Sequence, residues 1–519
     1  MSTLLTVPQK SHWKKRWVGT AAIVAALALV IGAAVLATHW PFTRKAIEKD
    51  LEQLSGRDIR IQQFHQTYFP PGCVLEGVTF RVSPPSGTES LVSIQKLTVE
   101  GSYSGMVTVP KRLQQIAADG LRVRILPSHR SAQPAQPAQQ AAPQKKPVWI
   151  GNIQANGAVL QVDRSNGSVP LVFAFRQLQL TSFAADQGTS FHAIFNNPEP
   201  PGVIDATGRL GAWQSKALGS IPIEGSYNLL KANLGVFHGI AGTLASKGEF
   251  KGEIGRALIQ GTTGMPDFEL TTNHHPMPLS TRFTAWVNGL NGDTNVTAIQ
   301  AVLQKTRITA IGSVAGEAGK TITLNANTGE GRIEDLVMLF AKSPRSALVG
   351  DIHFKAKAAL PPEHRKFEER VLLEGDFFIP EAAFTSKKTQ GNVDQLSERS
   401  RGEDSDDGDP GQVKAQIKGH VTLRNGTATF SDSTFSVPGA IALLHGTYNL
   451  ESHGVDLKGT LKMEAKLSQA TSGLKSLLAR FLNHRFETKD AGATLPVTVK
   501  GTYEHPIFHV DLDGKPPKK

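Results

Sequence analysis

Gly319-Lys320-Thr321 supplies the glycine, ammonium and hydroxyl with which a P-loop cradles phosphate and a magnesium ion. The loop fails one step earlier, because Val314 stands where the first required glycine belongs. Gly316–Thr321 also joins two strand-like segments, Ile308–Val314 and Thr321–Ala326, where phosphate binding needs a helix. It reads as a hairpin turn. Ser472-Gly473-Leu474-Lys475 has the spacing of a serine nucleophile with its lysine, but the companion S-D-N and K-T-G motifs are missing. Ser472 reads as a helix-start residue. The acidic run Asp404–Asp409 suggests calcium, yet the D-x-[DN]-x-[DN]-G frame does not fit and no helices flank it, so it reads as a solvated loop. His274-His275 has no further ligand at metal spacing and reads as a surface loop. There is no H-E-x-x-H and no G-x-S-x-G; Tyr103 occupies the nucleophile position between Gly101 and Gly105. Paired carboxylates brought together from distant strands stay open at this level. The expectation is a protein without a catalytic centre, metal or cofactor.

The elements around these residues point elsewhere. Val18–Leu36 is a run of nineteen residues without a charge. At about 1.5 Å per helical residue it covers roughly the 30 Å of a bilayer's hydrocarbon core. Lys10, Lys14, Lys15 and Arg16 precede it, and the first acidic residue is Glu48. The positive-inside rule then keeps the N-terminus cytoplasmic and exports everything after Trp40. A cleaved signal peptide is the competing reading, with Val35-Leu36-Ala37 as a weak cleavage site. Signal cores are typically about 7–15 residues long, so the length favours an uncleaved anchor.

A chain of 519 residues has room for more than one core. Forty-nine glycines and thirty prolines argue against a helical protein, and a single cysteine, Cys73, excludes an intramolecular disulfide. Cys73 reads as a small buried hydrophobe; a lipid-modified cysteine would directly follow the apolar run. Part of the net charge of +11 lies in the N-terminal tail. The remaining basic excess suits anionic headgroups or simple solvation, and export argues against nucleic acid as a partner.

Beyond the anchor, Thr43–Ser55 has the capping residue and the Ile47, Leu51, Leu54 stripe of an amphipathic helix, closed by Gly56. Arg332–Ala341 and Thr471–Phe481 are the other short helices expected. Nearly everything else alternates as strand, including Asp58–Phe64, Leu91–Tyr103 and Leu121–Leu126. In Val455–Leu467 every odd position is apolar or glycine and every even one is polar. Leu348–Leu360 shows nearly the same alternation, and Val413–Leu423 leads into the hairpin signal Asn425-Gly426. Such alternation belongs to antiparallel sheet with one wet and one dry face. A register of apolar-x-apolar-x-Gly-x-Tyr recurs at Leu97–Tyr103, Ile221–Tyr227, Ala442–Tyr448 and Val497–Tyr503. Mid-strand glycines mark bends or close approach. One reading is a self-packed sandwich whose glycines are covered by neighbouring tyrosines; the other is a curved apolar surface with room for a ligand. The residues selected for such a surface are Ile352, Phe354, Leu444, Tyr448, Leu457, Gly459, Leu461, Met463, Val497, Val499, Gly501 and Tyr503. Two stretches interrupt the pattern: the Pro/Ala/Gln-rich Ser128–Lys146 and the irregular Thr385–Gln412.

Trp40-Pro41-Phe42-Thr43 directly after an anchor, then a helix, Gly56-Arg57 and a strand, resembles the opening of AsmA-family proteins. Phe435–Ala440, Leu444–Leu450, Gly473–Leu478 and Leu495–Tyr503, followed by Pro506 and Phe508, resemble the AsmA-like C-terminal region. The likeness covers roughly 41–126 and 332–512, including the helix-then-strand unit Ile333–Leu360, and no motif in it is catalytic. It divides the chain into a cytoplasmic tail (1–17), a signal-anchor (18–38), an AsmA-like N-terminal region (41–127) and a linker (128–147). A β-rich middle (148–384), a flexible acidic loop (385–412) and an AsmA-like C-terminal region (413–512) follow. The resemblance implies a protein of the bacterial inner membrane with its bulk in the periplasm. It further implies kinship with repeating β-groove proteins that move phospholipid.

The expected fold is thus mainly β: an N-terminal transmembrane helix, then a long, curved antiparallel sheet shaped as a groove, with a few short helices. The expected work is phospholipid binding or transfer supporting the outer membrane, with membrane phospholipid and an envelope protein as the expected partners. Some 20 to 25 strands at about 4.8 Å would reach only on the order of 100–120 Å. The alternatives are a scaffold that assembles outer-membrane proteins through its sheet edges and, more remotely, an envelope hydrolase.

Overall fold

The computed structural model describes residues 44–45, 48, 58–81, 90–102, 104–105, 111–125, 148–163, 170–184, 187–212, 218–237, 239–271, 273–289, 293–315, 321–340, 345–362, 365–401, 413–464, 494–502 and 506–510. The apolar run Val18–Leu36, most of Thr43–Ser55, the helix expected at Thr471–Phe481 and Tyr503 lie outside these residues. Among the described residues no helix is long and apolar enough to cross a membrane.

Period-two alternation dominates the chain, and the chain answers with strands. The first set is β1 (Asp58–Arg60), β2 (Gln63–Tyr68), β3 (Pro71–Arg81), β4 (Ser90–Gly101), β5 (Lys111–Asp119), β6 (Arg122–Ile125), β7 (Val148–Asn156), β8 (Ala158–Val162) and β9 (Leu171–Ala184). The second is β10 (Thr189–Pro198), β11 (Pro201–Leu210), β12 (Pro222–Asn233), β13 (Ile240–Ala241), β14 (Thr243–Glu253), β15 (Arg256–Leu270), β16 (Met277–Val287), β17 (Thr294–Leu303), β18 (Thr306–Ala315) and β19 (Thr321–Arg332). Helix α1 (Ile333–Met338) leads to β20 (Leu348–Val349) and β21 (Asp351–Leu360). Helix α2 (Phe367–Arg370), β22 (Leu372–Phe384) and helix α3 (Lys387–Arg401) come next. The chain closes with β23 (Ala415–Arg424), β24 (Thr427–Val437), β25 (Ala440–Asn449), β26 (Gly454–Met463), β27 (Thr494–Thr502) and β28 (Pro506–Val510).

All 28 strands belong to one sheet. From β9 onward it is an antiparallel meander of neighbouring strands, in which β12 pairs with β14 and β19 with β21 while the two-residue strands β13 and β20 pair with β15 and β22. Five consecutive pairs are single rungs broken by a kink: β1/β2, β5/β6, β7/β8, β13/β14 and β20/β21. Gly120, Gly157, Gly242 and Gly350 occupy four of those breaks, all at positive φ. At about 4.8 Å apart, the roughly 23 rungs that remain extend on the order of 105–110 Å. The sheet is curved, and the turns beyond its strand ends reach back over one face. Mainly β, antiparallel and one-sheeted is therefore correct as an expectation, and a two-sheet sandwich is not what forms.

Two expected boundaries change meaning. β5 and β6 pair in parallel with β7 and β8, the parallel contacts of an otherwise antiparallel sheet. Parallel neighbours need a crossover of about a dozen or more residues. The Pro/Ala/Gln-rich stretch 128–147 falls within that crossover, so it connects neighbours in one core. Ile61, Leu75, Ile116 and Ile150 lie in the same hydrophobic cluster as Leu160, Leu180 and Phe183. The second correction is α3, which occupies much of the stretch read as the irregular, flexible acidic loop 385–412. Its buried face is Gln390, Val393, Asp394, Ser397 and Ser400. That is a helical stripe written mostly in polar residues, which a search for apolar periodicity passes over. Gln390 Nε2 donates to Val413 O at 2.9 Å, Asp394 Oδ1 accepts from Val413 N at 2.9 Å, and Ser397 Oγ donates to Pro438 O at 2.8 Å. The helix is fixed by strand-end backbone.

Candidate functional site

Strand register carries one row of side chains across the sheet without a polar member. From β10 it runs Ala193, Ala206, Tyr227, Gly248, Gly261, Phe283, Ile299, Ala310, Ala326, Ala356 and Gly375. It continues through Val421, Phe430, Gly446 and Leu457 to Val499 on β27. Tyrosine is the most polar residue in it. The opposite face is charged and wet. Glu224 faces Lys251, Lys357 faces Glu374, and His420 Nδ1 lies 2.8 Å from Asp376 Oδ1.

Helix α1 marks the apolar face as the inner one. Its Ile333 clusters with Ile352 and Ile379, while Phe340, just past the helix, packs on Leu423 and Ala428. Arg332 and Asp335 fasten the start of α1. Asp335 Oδ2 accepts from Lys305 N and from Thr306 Oγ1, both at 2.9 Å, and Arg332 Nη1 donates to Asp351 Oδ1 at 2.6 Å. The turn between β15 and β16 folds over the same face, where Asn273 Nδ2 donates to Leu339 O at 3.1 Å.

The glycine register has a local cause. An added Cβ on Gly225 would sit 2.7 Å from the Phe250 ring; on Gly248 it would sit 3.0 Å from the Tyr227 ring. On Gly261 it would meet both the Tyr227 hydroxyl and the Phe283 ring. Each glycine makes a slot for the aromatic of the neighbouring strand. The tyrosine cover expected of a sandwich thus exists, but within a single sheet.

Among the residues singled out from sequence, Ile352, Phe354, Leu444, Tyr448, Leu457, Gly459, Leu461, Met463, Val497 and Val499 all project to this inner face. Four of them, Ile352, Leu461, Met463 and Val497, are buried in the cluster that also holds Ile333 and Val393 of α1 and α3. Tyr448 Oη lies 3.0 Å from His453 Nδ1. Gly459 is a pinch between strands, since a Cβ there would lie 1.8 Å from Leu443 O. Gly501 is exposed at φ 110°. Half-buried residues also line the inner face of the middle strands, among them Tyr227, Phe250, Phe283, Ile299 and Ala326. Tyr227 belongs to the glycine–tyrosine register, whereas Phe250, Phe283, Ile299 and Ala326 carry no such mark, although β14 and β19 alternate as regularly as the strands selected.

The residues weighed for chemistry disperse. Ala315 pairs with Thr321, so the Gly316–Thr321 segment closes a hairpin. His274 lies in the β15–β16 turn with Nδ1 3.5 Å from Glu269. Cys73 is buried, and burial pushes its thiol up to about 12. No group of three or more His, Cys, Asp or Glu able to hold a metal occurs among the described residues.

No family model matches this chain, and neither a curated protein nor a solved structure is similar to it.

Proposed function

We propose that the inner face is a trough for phospholipid acyl chains and that the protein, tethered by Val18–Leu36, binds or transfers phospholipid at the inner membrane. The observation that carries this reading is the unbroken apolar row from Ala193 to Val499. Over the middle strands it remains half-buried, neither covered by a second sheet nor interrupted by charge. Burying a methylene gains about 0.8 kcal/mol, so a slender hydrocarbon is stabilised anywhere along the row, and an uninterrupted row lets it slide without a large barrier. Headgroups would stay in water at the strand ends. The residue-level resemblance to AsmA-family proteins supports the same reading and its periplasmic setting. No catalytic step is needed for this work.

The open edge of β28 favours a second reading, a scaffold for envelope proteins. Its last rung has no further strand beside it among the described residues, and Ile507 is 67% exposed.

A phospholipid carrying a photoactivatable group in its acyl chain separates the two. Irradiation of the full chain in native membranes, followed by peptide mass spectrometry, should place adducts on Tyr227, Phe283 and Ile299. Ala326→Trp, which plugs the row, should deplete adducts at least about threefold on one side of itself. Adducts confined to Val18–Leu36, or spread over the charged outer face, would remove the trough reading.

A further inference from the structure

In the meander, the turns β12–β13 and β15–β16 and the end of β19 lie along one long rim of the sheet. The turns β14–β15, β18–β19, β21–β22, β23–β24 and β25–β26 lie along the other. These rims should be separated by the length of a strand. They nevertheless meet. Gly239, in the turn after β12, approaches α2 of the opposite rim so closely that a Cβ on it would lie 2.3 Å from the Cβ of Phe367. Its φ of +98° is open to glycine and strained for other residues. Gly239 O accepts from Thr271 N at 3.0 Å, which joins the β12–β13 turn to the β15–β16 turn. From that second turn Asn273 reaches Leu339 O beyond α1. Helix α2 is held on its own side, because Arg365 bonds Asn425 at 3.2 Å and Lys366 bonds Glu451 at 3.1 Å.

The sheet from β13 to β22, about eight rungs, is therefore wrapped into a ring closed by loops rather than by strand pairing. A ring of about eight strands encloses a space that side chains fill or that holds one small ligand. Here Phe283, Ile299 and Ala326 on its wall remain half-buried, so each keeps apolar surface that a ligand could cover. The hydroxyls on the wall are matched with one another: Tyr227 Oη with Ser246 Oγ at 3.1 Å, and Thr263 with Thr281 at 2.7 Å. What the wall offers a ligand is hydrocarbon contact.

We infer that the segment between β13 and β22 is an enclosed site for acyl chains, gated by the clasp that Gly239, Asn273, Leu339 and Phe367 form across the rims. The inference rests on the trough reading and adds a constraint to it. A hydrocarbon chain can lie inside the ring, but a headgroup projecting between the rims cannot slide past the clasp until it opens.

The test is a reversible lock in the full chain. Ile240→Cys with Phe367→Cys is bridged by a short bifunctional methanethiosulfonate and released by reductant. Native Cys73 is buried, and its raised thiol leaves it unreacted. The photoactivatable phospholipid is then supplied to locked and released protein. Locking should lower adducts on at least one side of the ring, at β10–β11 or at β24–β27, by about tenfold or more, with recovery on release. Gly239→Val, which props the clasp apart, should raise the rate at which adducts appear on that side by about threefold. Failure of the two cysteines to bridge would show that the rims do not meet, which removes the clasp. Equal adducts on both sides in locked and released protein would overturn the gate and leave the trough standing. Absence of inner-face adducts in every form would overturn the trough itself and the gate with it.

Discussion

The sheet is built in two manners. In its first third, Val78, Ile116 and Ile150 have no exposure at all, and Cys73, Leu75 and Leu97 are each 1% exposed. There, apolar alternation is spent on self-packing, as in any folded core. Across β11–β19 the same alternation leaves inner side chains half-buried, and no comparable core forms. Leaving apolar side chains half in water forgoes roughly 25 cal/mol for each Å² left uncovered, so an open apolar row is costly unless something else covers it. The sealed third behaves as foundation and the middle as surface. The C-terminal strands stand between these extremes, with α1 and α3 covering part of their inner face.

Thiol chemistry gives the widest separation between the two. Burial pushes Cys73 up to about 12 from an ordinary 9.0. At pH 8 this alone lowers its thiolate fraction by about a thousandfold. Ala206→Cys, on the inner row of β11, should react with a maleimide like a free thiol, and Cys73 at least about a thousandfold more slowly. The sign of the pH effect follows. Because the folded thiol is raised, its contribution to stability is present below about pH 9, where both states are protonated, and declines as pH rises from there toward 12. Comparable labelling rates at the two positions would erase the distinction between foundation and surface.

Cavity formation separates them by energy. Ile116→Ala removes a side chain with 0% exposure and should cost about 2–5 kcal/mol. Ile299→Ala removes the same atoms from the half-buried row and should cost about 1 kcal/mol. A sheet this long need not unfold in one step, so native-state hydrogen exchange in β5 and in β17 is the suitable measurement. Equal losses at the two sites would mean that the middle strands are packed as tightly as the first.

How much of this was legible follows the same division. Strands with strict alternation, such as Gly454–Met463 and Asp351–Leu360, came out close to the expected ranges, because one wet and one dry face fixes both period and register. Asn425-Gly426 turns where its left-handed preference demands, with φ values of 48° and 70°. Helix α3 was hidden because its buried face bonds to backbone through Gln390, Asp394 and Ser397. Of the inner-face residues chosen from sequence, Ile352, Leu461, Met463 and Val497 lie in the cluster that α1 and α3 join, since nothing in a strand's own pattern tells what will lie across it. The contact between Gly239 and Phe367 joins two loops far apart in sequence, and a single sequence carries no trace of it.

The smallest expected effect probes how the covered region is held. Asp335 is 8% exposed and accepts from the backbone of Lys305 and the hydroxyl of Thr306, so it ties α1 to the turn between β17 and β18. Asp335→Asn keeps the shape but removes the charge and presents an amide donor where two donors already point. A hydrogen bond to a charged group contributes about 1.5–3 kcal/mol, and the amide oxygen can recover part of it by rotation, so a local loss of about 1–2 kcal/mol is expected. Exchange of the Lys305 amide should therefore quicken by roughly tenfold, since about 1.4 kcal/mol is one decade. The β5 amides should not change, because the sealed third shares no side chain with this tie. If they quickened as well, foundation and surface would be one cooperative unit, and the covering of the inner face by α1 could not loosen without loosening the sheet beneath it.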